Sequence, residues 1–155
     1  MRRLTPGMDP HSFCRPDRPK PSHLDWEVRV DFDAHVTKGV ATYTFDKTGE
    51  KTSLDSSGHA IFRVFDPATG RDISSELGSP DANLGSELSF AVPESRMVAI
   101  KYATSHAASG LQWIDAKAGG KPGLITQLEP IHARSMLPCP DSPGVKFTCD
   151  ASVTV

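Results

Sequence analysis

Six histidines, His11, His23, His35, His59, His106 and His132, are the residues of this 155-residue chain best suited to metal or acid–base chemistry. No two of them stand four apart. H-E-x-x-H, which puts two imidazoles and a general base on one helix face, is therefore missing. The spacing predicts scattered surface histidines and no metal-ligand set within this chain. No glycine-rich loop leads into a helix, so no phosphate cradle is expected, and no G-x-S-x-G nucleophile elbow occurs. Cys14, Cys139 and Cys149 make an odd count without a C-x-x-C pair, which reads as reduced thiols in a cytoplasmic protein. Cys139 sits between Pro138 and Pro140 with no cation or helix start to lower its pKa, and is expected to be buried and inert. Arg134 and Asp141 can pair and pin their loop through the guanidinium fork. Gln127 and Glu129 are two apart. An extended segment would place both side chains on one face, with Leu128 on the other, until Pro130 ends any ladder. On residue chemistry alone, Glu129 is a solvated loop carboxylate.

The elements that must position these residues read as strands. Residues 24–32 alternate Leu24, Trp26, Val28, Val30 and Phe32 with Asp25, Glu27, Arg29 and Asp31, the period of a strand with one buried face. A turn at 37–39 would lead into a β-branched and aromatic run at 40–45, making a hairpin. Further strands are expected at 60–65, 87–92, 97–104 and 146–155, and one helical turn is expected at 131–136 before Pro138. No segment shows a 3.6-residue apolar stripe over three turns. The fold class expected is all-β, a sandwich or curved sheet. Residues 1–22, with Pro6, Pro10, Pro16, Pro19 and Pro21, read as an irregular arm, and residues 23–155 as one β-domain. The chain stops inside its last strand pattern, which suggests a piece of a longer protein.

Composition narrows the function. Thirteen prolines and twelve glycines favour many turns over long helices. The formal net charge of -2, without a basic block, gives no electrostatic footprint for nucleic acid. No apolar run approaches the roughly 20 residues that span a bilayer, so no membrane partner is expected. The two arginines at the start have no apolar stretch behind them, against a secretory signal.

The informative stretch lies at 110–148. It carries Leu111-Gln112-Trp113, then Gln127-Leu128-Glu129, then Ile131-His132-Ala133-Arg134-Ser135, Pro138-Cys139, Asp141, Pro143 and Val145-Lys146. Asp9-Pro10-His11-Ser12-Phe13, His23-Leu24-Asp25 and Gly39-Val40-Ala41-Thr42 precede it in order. These motifs resemble the N-terminal domain of M1 zinc metallopeptidases of the leukotriene A4 hydrolase and aminopeptidase B type. The resemblance implies a saddle-shaped β-domain ahead of a zinc-bearing catalytic domain. The zinc motif and the G-x-M-E-N amine-binding motif belong to that second domain, so this chain alone is expected to be inert and to carry no cofactor. The resemblance also implies that a loop of this domain reaches the substrate cleft, with Gln127 and Glu129 as the substrate-binding positions. Glu129 is a departure, because the most similar members of the family carry Gln there. Peptide-end cleavage is thus the expected activity of the parent, with epoxide hydrolysis as the alternative. A stand-alone β-sandwich module binding peptides or proteins is the reading of a different class, and a downstream H-E-x-x-H would separate the two.

Overall fold

The computed structural model describes residues 8–117 and 120–155. The first seven residues of the proline-rich arm, with the arginines weighed as a signal sequence, lie outside the described residues. Strands β1 (Pro21–Asp31) and β2 (Val36–Phe45) form the long hairpin read from the period-two pattern. Leu24, Val28, Ala41, Tyr43 and Phe45 are buried, while Asp25, Glu27 and Arg29 are exposed. The hairpin turns at 32–35, earlier than the sequence suggested. Asp31 Oδ1 accepts the Ala34 N–H at 3.0 Å and closes the turn. Gly39 instead lies inside β2, where a Cβ would come within 2.7 Å of the Glu27 carbonyl oxygen. Its bareness lets the hairpin pack closely there rather than turn.

Strands β3 (Gly49–Ser56), β4 (Ala60–Phe65), β5 (Ser75–Leu77), β6 (Ser86–Val92) and β7 (Met97–Ala103) follow. Then come β8 (Leu111–Ile114), β9 (Gly123–Thr126), the short helix α1 (Ala133–Met136) and β10 (Thr148–Thr154). They form a five-stranded sheet in the order β10-β1-β2-β7-β4, a three-stranded sheet β3-β6-β5 and a two-stranded ladder β8-β9. Tyr43, Phe45, Val98, Ile100 and Tyr102 of the larger sheet and Leu54, Leu88 and Phe90 of the smaller share one buried cluster. Each such side chain contributes roughly 1.5–3 kcal/mol by leaving water. The fold is all-β with one turn of helix, as the strand patterns indicated.

Strand β3 escaped the sequence reading because it buries polar groups. Thr52, Ser53, Asp55 and Ser56 are all buried. The arm at 8–20 covers them: Thr52 donates to the Pro19 carbonyl at 2.6 Å, and Phe13 N–H donates to Asp55 at 2.7 Å. Strand β10 departs in the opposite sense. Its alternating apolar residues share a face, but the whole strand is exposed at the sheet edge, with Val153 at 56%. Phe147 just before it does pack, edge-on to Tyr43 at 6.1 Å.

His59 links the two sheets and makes the fold acid-sensitive. It is buried, its Nδ1 lies 2.9 Å from Ser56 Oγ, and its ring meets Tyr102 edge-on at 5.1 Å. Among the described residues Nε2 has no hydrogen-bond partner of bonding geometry. Burial pushes the pKa down from 6.5 to about 4, against a weaker opposite pull from the Ser135 and Met136 carbonyls. Between these values the unfolded chain binds a proton that the folded chain refuses. The stability held by neutral His59 is therefore complete above 6.5 and is lost as pH falls toward 4, by roughly 3 kcal/mol in total. Urea unfolding at pH 7 and 4.5 should show a markedly steeper loss for the wild type than for His59→Gln. Equal losses would place the acid sensitivity elsewhere.

Candidate functional site

The segment that carries Gln127 and Glu129 leaves the β8-β9 ladder, in which Leu111 faces Thr126 and Trp113 faces Leu124. Strand β9 ends at Thr126, and a turn is assigned from Glu129. Gln127 N–H donates to the Gly110 carbonyl at 3.0 Å, and His132 N–H donates to the Leu128 carbonyl at 2.8 Å. The first bond adds one more rung in the register of the ladder, and the second closes the turn that follows. Gln127 folds back so that its Oε1 accepts the Glu129 N–H at 3.2 Å. The Glu129–Pro130 peptide is cis. Gln127 and Glu129 are exposed and Leu128 is half-buried. No hydrogen bond or ion pair to another described residue engages the Glu129 carboxylate.

Gly110 is the seat of this turn. Its N–H donates to Ser135 Oγ at 2.8 Å, and that hydroxyl donates to the His132 carbonyl at 2.7 Å. A Cβ on residue 110 would fall 2.8 Å from the His132 oxygen and 3.0 Å from both Leu128 Cδ2 and Ser135 Oγ. Gly110→Ala should therefore shift the turn and destabilise the fold by about 1–3 kcal/mol, as overpacking does. A thermal melt should fall by roughly 2–10 °C. An unchanged melting temperature would show that the turn yields freely.

Beneath the turn lies a buried polar network. Arg134 is 2% exposed and Asp55 is fully buried. The Arg134 guanidinium donates to Asp141 Oδ2 at 3.0 Å, to the Leu84 carbonyl at 2.8 Å and to the His11 carbonyl at 2.7 Å. Its Nη1 stands 3.9 Å from Asp55 Oδ1. Asp55 also accepts from Ser12 Oγ at 2.6 Å and from Asp141 N–H at 2.9 Å. Burial raises the Asp55 pKa, and these donors with the Arg134 charge pull it back. The Asp55 backbone exchanges hydrogen bonds with Cys139, and Tyr43 donates its hydroxyl proton to the Pro138 carbonyl at 2.7 Å. The pairing of Arg134 with Asp141 follows the sequence reading. Asp55 and the arm were missed, because no local pattern joins residues 12, 55 and 141.

Burial keeps two of the three thiols protonated. Burial pushes Cys139 well above its usual range and Cys14 up to about 12. Both tryptophans pack. Trp26 donates to the Tyr102 hydroxyl at 2.8 Å, and Trp113 stacks on His35 with centroids 5.0 Å apart. Between β1, β10 and the β8-β9 ladder runs an apolar groove of about 380 Å³, lined by residues that include Trp26, Val30, Leu124, Met136 and Val153. No helix among the described residues is long and apolar enough to cross a membrane.

Residues 20–155 match the peptidase M1 N-terminal domain. The chain belongs to this family. A leukotriene A-4 hydrolase of Xenopus laevis is 30% identical over 159 residues, which cover 95% of this chain and 26% of the relative. A leucine aminopeptidase 2 of Vanderwaltozyma polyspora is 28% identical over 165 residues, 98% of this chain and 24% of the relative. The structure of yeast LTA4 hydrolase in complex with bestatin superposes with a TM-score of 0.87 at 27% identity, covering 99% of this chain and 25% of that one. The chain thus spans about a quarter of the length of these relatives. The M1 N-terminal domain identity fits the all-β architecture and the conduct of the 110–148 stretch. The H-E-x-x-H donor set does not occur among the 155 residues.

Proposed function

We propose that this chain is the N-terminal part of a zinc-dependent aminopeptidase that removes N-terminal residues from peptides in the cytoplasm. Residues 1–22 form its arm and 23–155 its β-domain, and the zinc belongs to a catalytic domain further along the polypeptide. The segment at 127–129 reaches the substrate cleft. Glu129 receives the α-ammonium of the peptide through charge-assisted hydrogen bonds, and Gln127 positions the turn and the substrate backbone. A free amine marks a chain end, so this contact selects ends over interiors.

The observation that carries the reading is the state of Glu129. Its carboxylate is exposed and engaged by no described residue, while the turn beneath it is held by Gly110, Ser135 and the buried Arg134. A rigid seat under a free charged group suits a ligand-binding tip. The apolar groove borders the same segment and provides a face for the catalytic domain to cover. The three free cysteines agree with a reducing compartment.

The chain alone should release no dye from an aminoacyl reporter, with or without added zinc. The longer polypeptide should release it and lose that activity to a chelator. Turnover by the 155-residue chain itself would sink the assignment, and an inert longer polypeptide would favour a binding module.

A further inference from the structure

Strand β10 pairs in parallel with β1, so that Asp25 stands opposite Asp150 and His23 opposite Thr148. Two carboxylates directly opposed across a ladder repel unless a cation lies between them. His23 Nε2 is 3.4 Å from Asp25 Oδ1 and 3.6 Å from Asp150 Oδ2. The three atoms lie within 4.8 Å of one another. These separations exceed the about 2.7–3.2 Å of a sound N–H···O bond. They suit donors around one zinc ion, which at bond lengths of about 2.0–2.1 Å sit about 3.3–3.5 Å apart at the corners of a tetrahedron.

His23 Nδ1 lies 2.6 Å from Thr148 Oγ1, and that oxygen stands 3.4 Å from the Ser22 carbonyl. In the neutral tautomer whose Nδ1–H donates to the Thr148 hydroxyl, the lone pair is on Nε2, facing the two carboxylates. Three electron-rich atoms then converge. The Thr148 hydroxyl holds the ring as outer partners of metal-bound histidines do.

We propose that His23, Asp25 and Asp150 form a surface site for a divalent first-row transition cation, best suited by zinc, which fastens the edge strand β10 to β1. Imidazole and carboxylate donors match that class of ion, and solvent completes its shell. Spacing along the chain could not show this site, since its ligands come from the first and last strands. The site does not depend on the aminopeptidase reading, and its test does not measure activity.

The test uses the untagged 155-residue chain with zinc chloride, followed by calorimetry and thermal melting at pH 7.5. One zinc per chain should bind and raise the melting temperature by several degrees. His23→Ala should abolish that binding, and Thr148→Val should weaken it about tenfold. Asp150→Asn should melt no lower than the wild type without zinc, because it relieves repulsion, and should gain nothing from zinc. Nitrogen NMR of His23 should show Nε2 losing its lone-pair shift as zinc is added. Zinc binding that survives His23→Ala within twofold, or the absence of saturable binding, would overturn the proposal. A His23 that holds a proton on Nε2 at pH 7.5 and keeps it against zinc would overturn it too.

Discussion

Arg134→Met lowers the unfolding free energy of the chain by about 3–5 kcal/mol, the largest stability effect expected of one surface-distant substitution. The substitution keeps bulk but removes every donor. Asp55 then stays buried with a charge facing no cation, and the Leu84 and His11 carbonyls lose their partners. The arm, the 134–141 segment and β3 all meet at this point, so the loss spreads from the turn to the N-terminus. Asp55→Asn in the same background should recover part of the loss, because it removes the stranded charge. Urea unfolding at pH 7 measures both. A loss below 1 kcal/mol for Arg134→Met would mean that water replaces the guanidinium and that the network does not hold the loop.

Glu129→Gln, made in the longer polypeptide, lowers kcat/KM on an aminoacyl substrate about ten- to a hundredfold. A carboxylate gives an ammonium two acceptor oxygens and a full negative charge, whereas an amide gives one acceptor and no charge. One charge-assisted contact is worth about 1.5–3 kcal/mol, which sets the range. The loss falls near ten if a carboxylate of the catalytic domain shares the ammonium. Stability should not change, since nothing among the described residues engages the Glu129 side chain. Gln127→Ala should cost less activity, through a looser turn, because the Glu129 N–H loses its acceptor. Rates within twofold of the wild type for Glu129→Gln would reduce Glu129 to a solvated loop residue.

Strands with one wet and one dry face were legible from residue order. β1 alternates Leu24, Trp26 and Val28 with charged residues, and the structure buries Leu24 and Val28 and half-buries Trp26. β3 was illegible because Thr52, Ser53 and Asp55 turn inward under the arm, where hydrogen bonds replace apolar contact. Hydropathy cannot signal a strand whose buried residues are polar. β10 misled in its burial for a related reason, since alternation shows which residues share a face and not whether anything covers it. In the site, the Arg134 to Asp141 pairing was readable over seven residues. The turn after Gln127 was not, because the close approach of Gly110 to Leu128, His132 and Ser135 is visible only in three dimensions. Asp55 and the His23 cluster join residues too distant in the chain for any spacing rule.

The claim that Glu129 reads the free amine is tested most directly by a ratio. Steady-state kinetics on the longer polypeptide would compare an aminoacyl substrate with its des-amino analogue, which keeps the side chain and the scissile bond. The wild type should prefer the amine strongly in kcat/KM, and Glu129→Gln should shrink that preference about ten- to a hundredfold while leaving the des-amino rate nearly unchanged. A preference of the same size in both proteins would contradict the account.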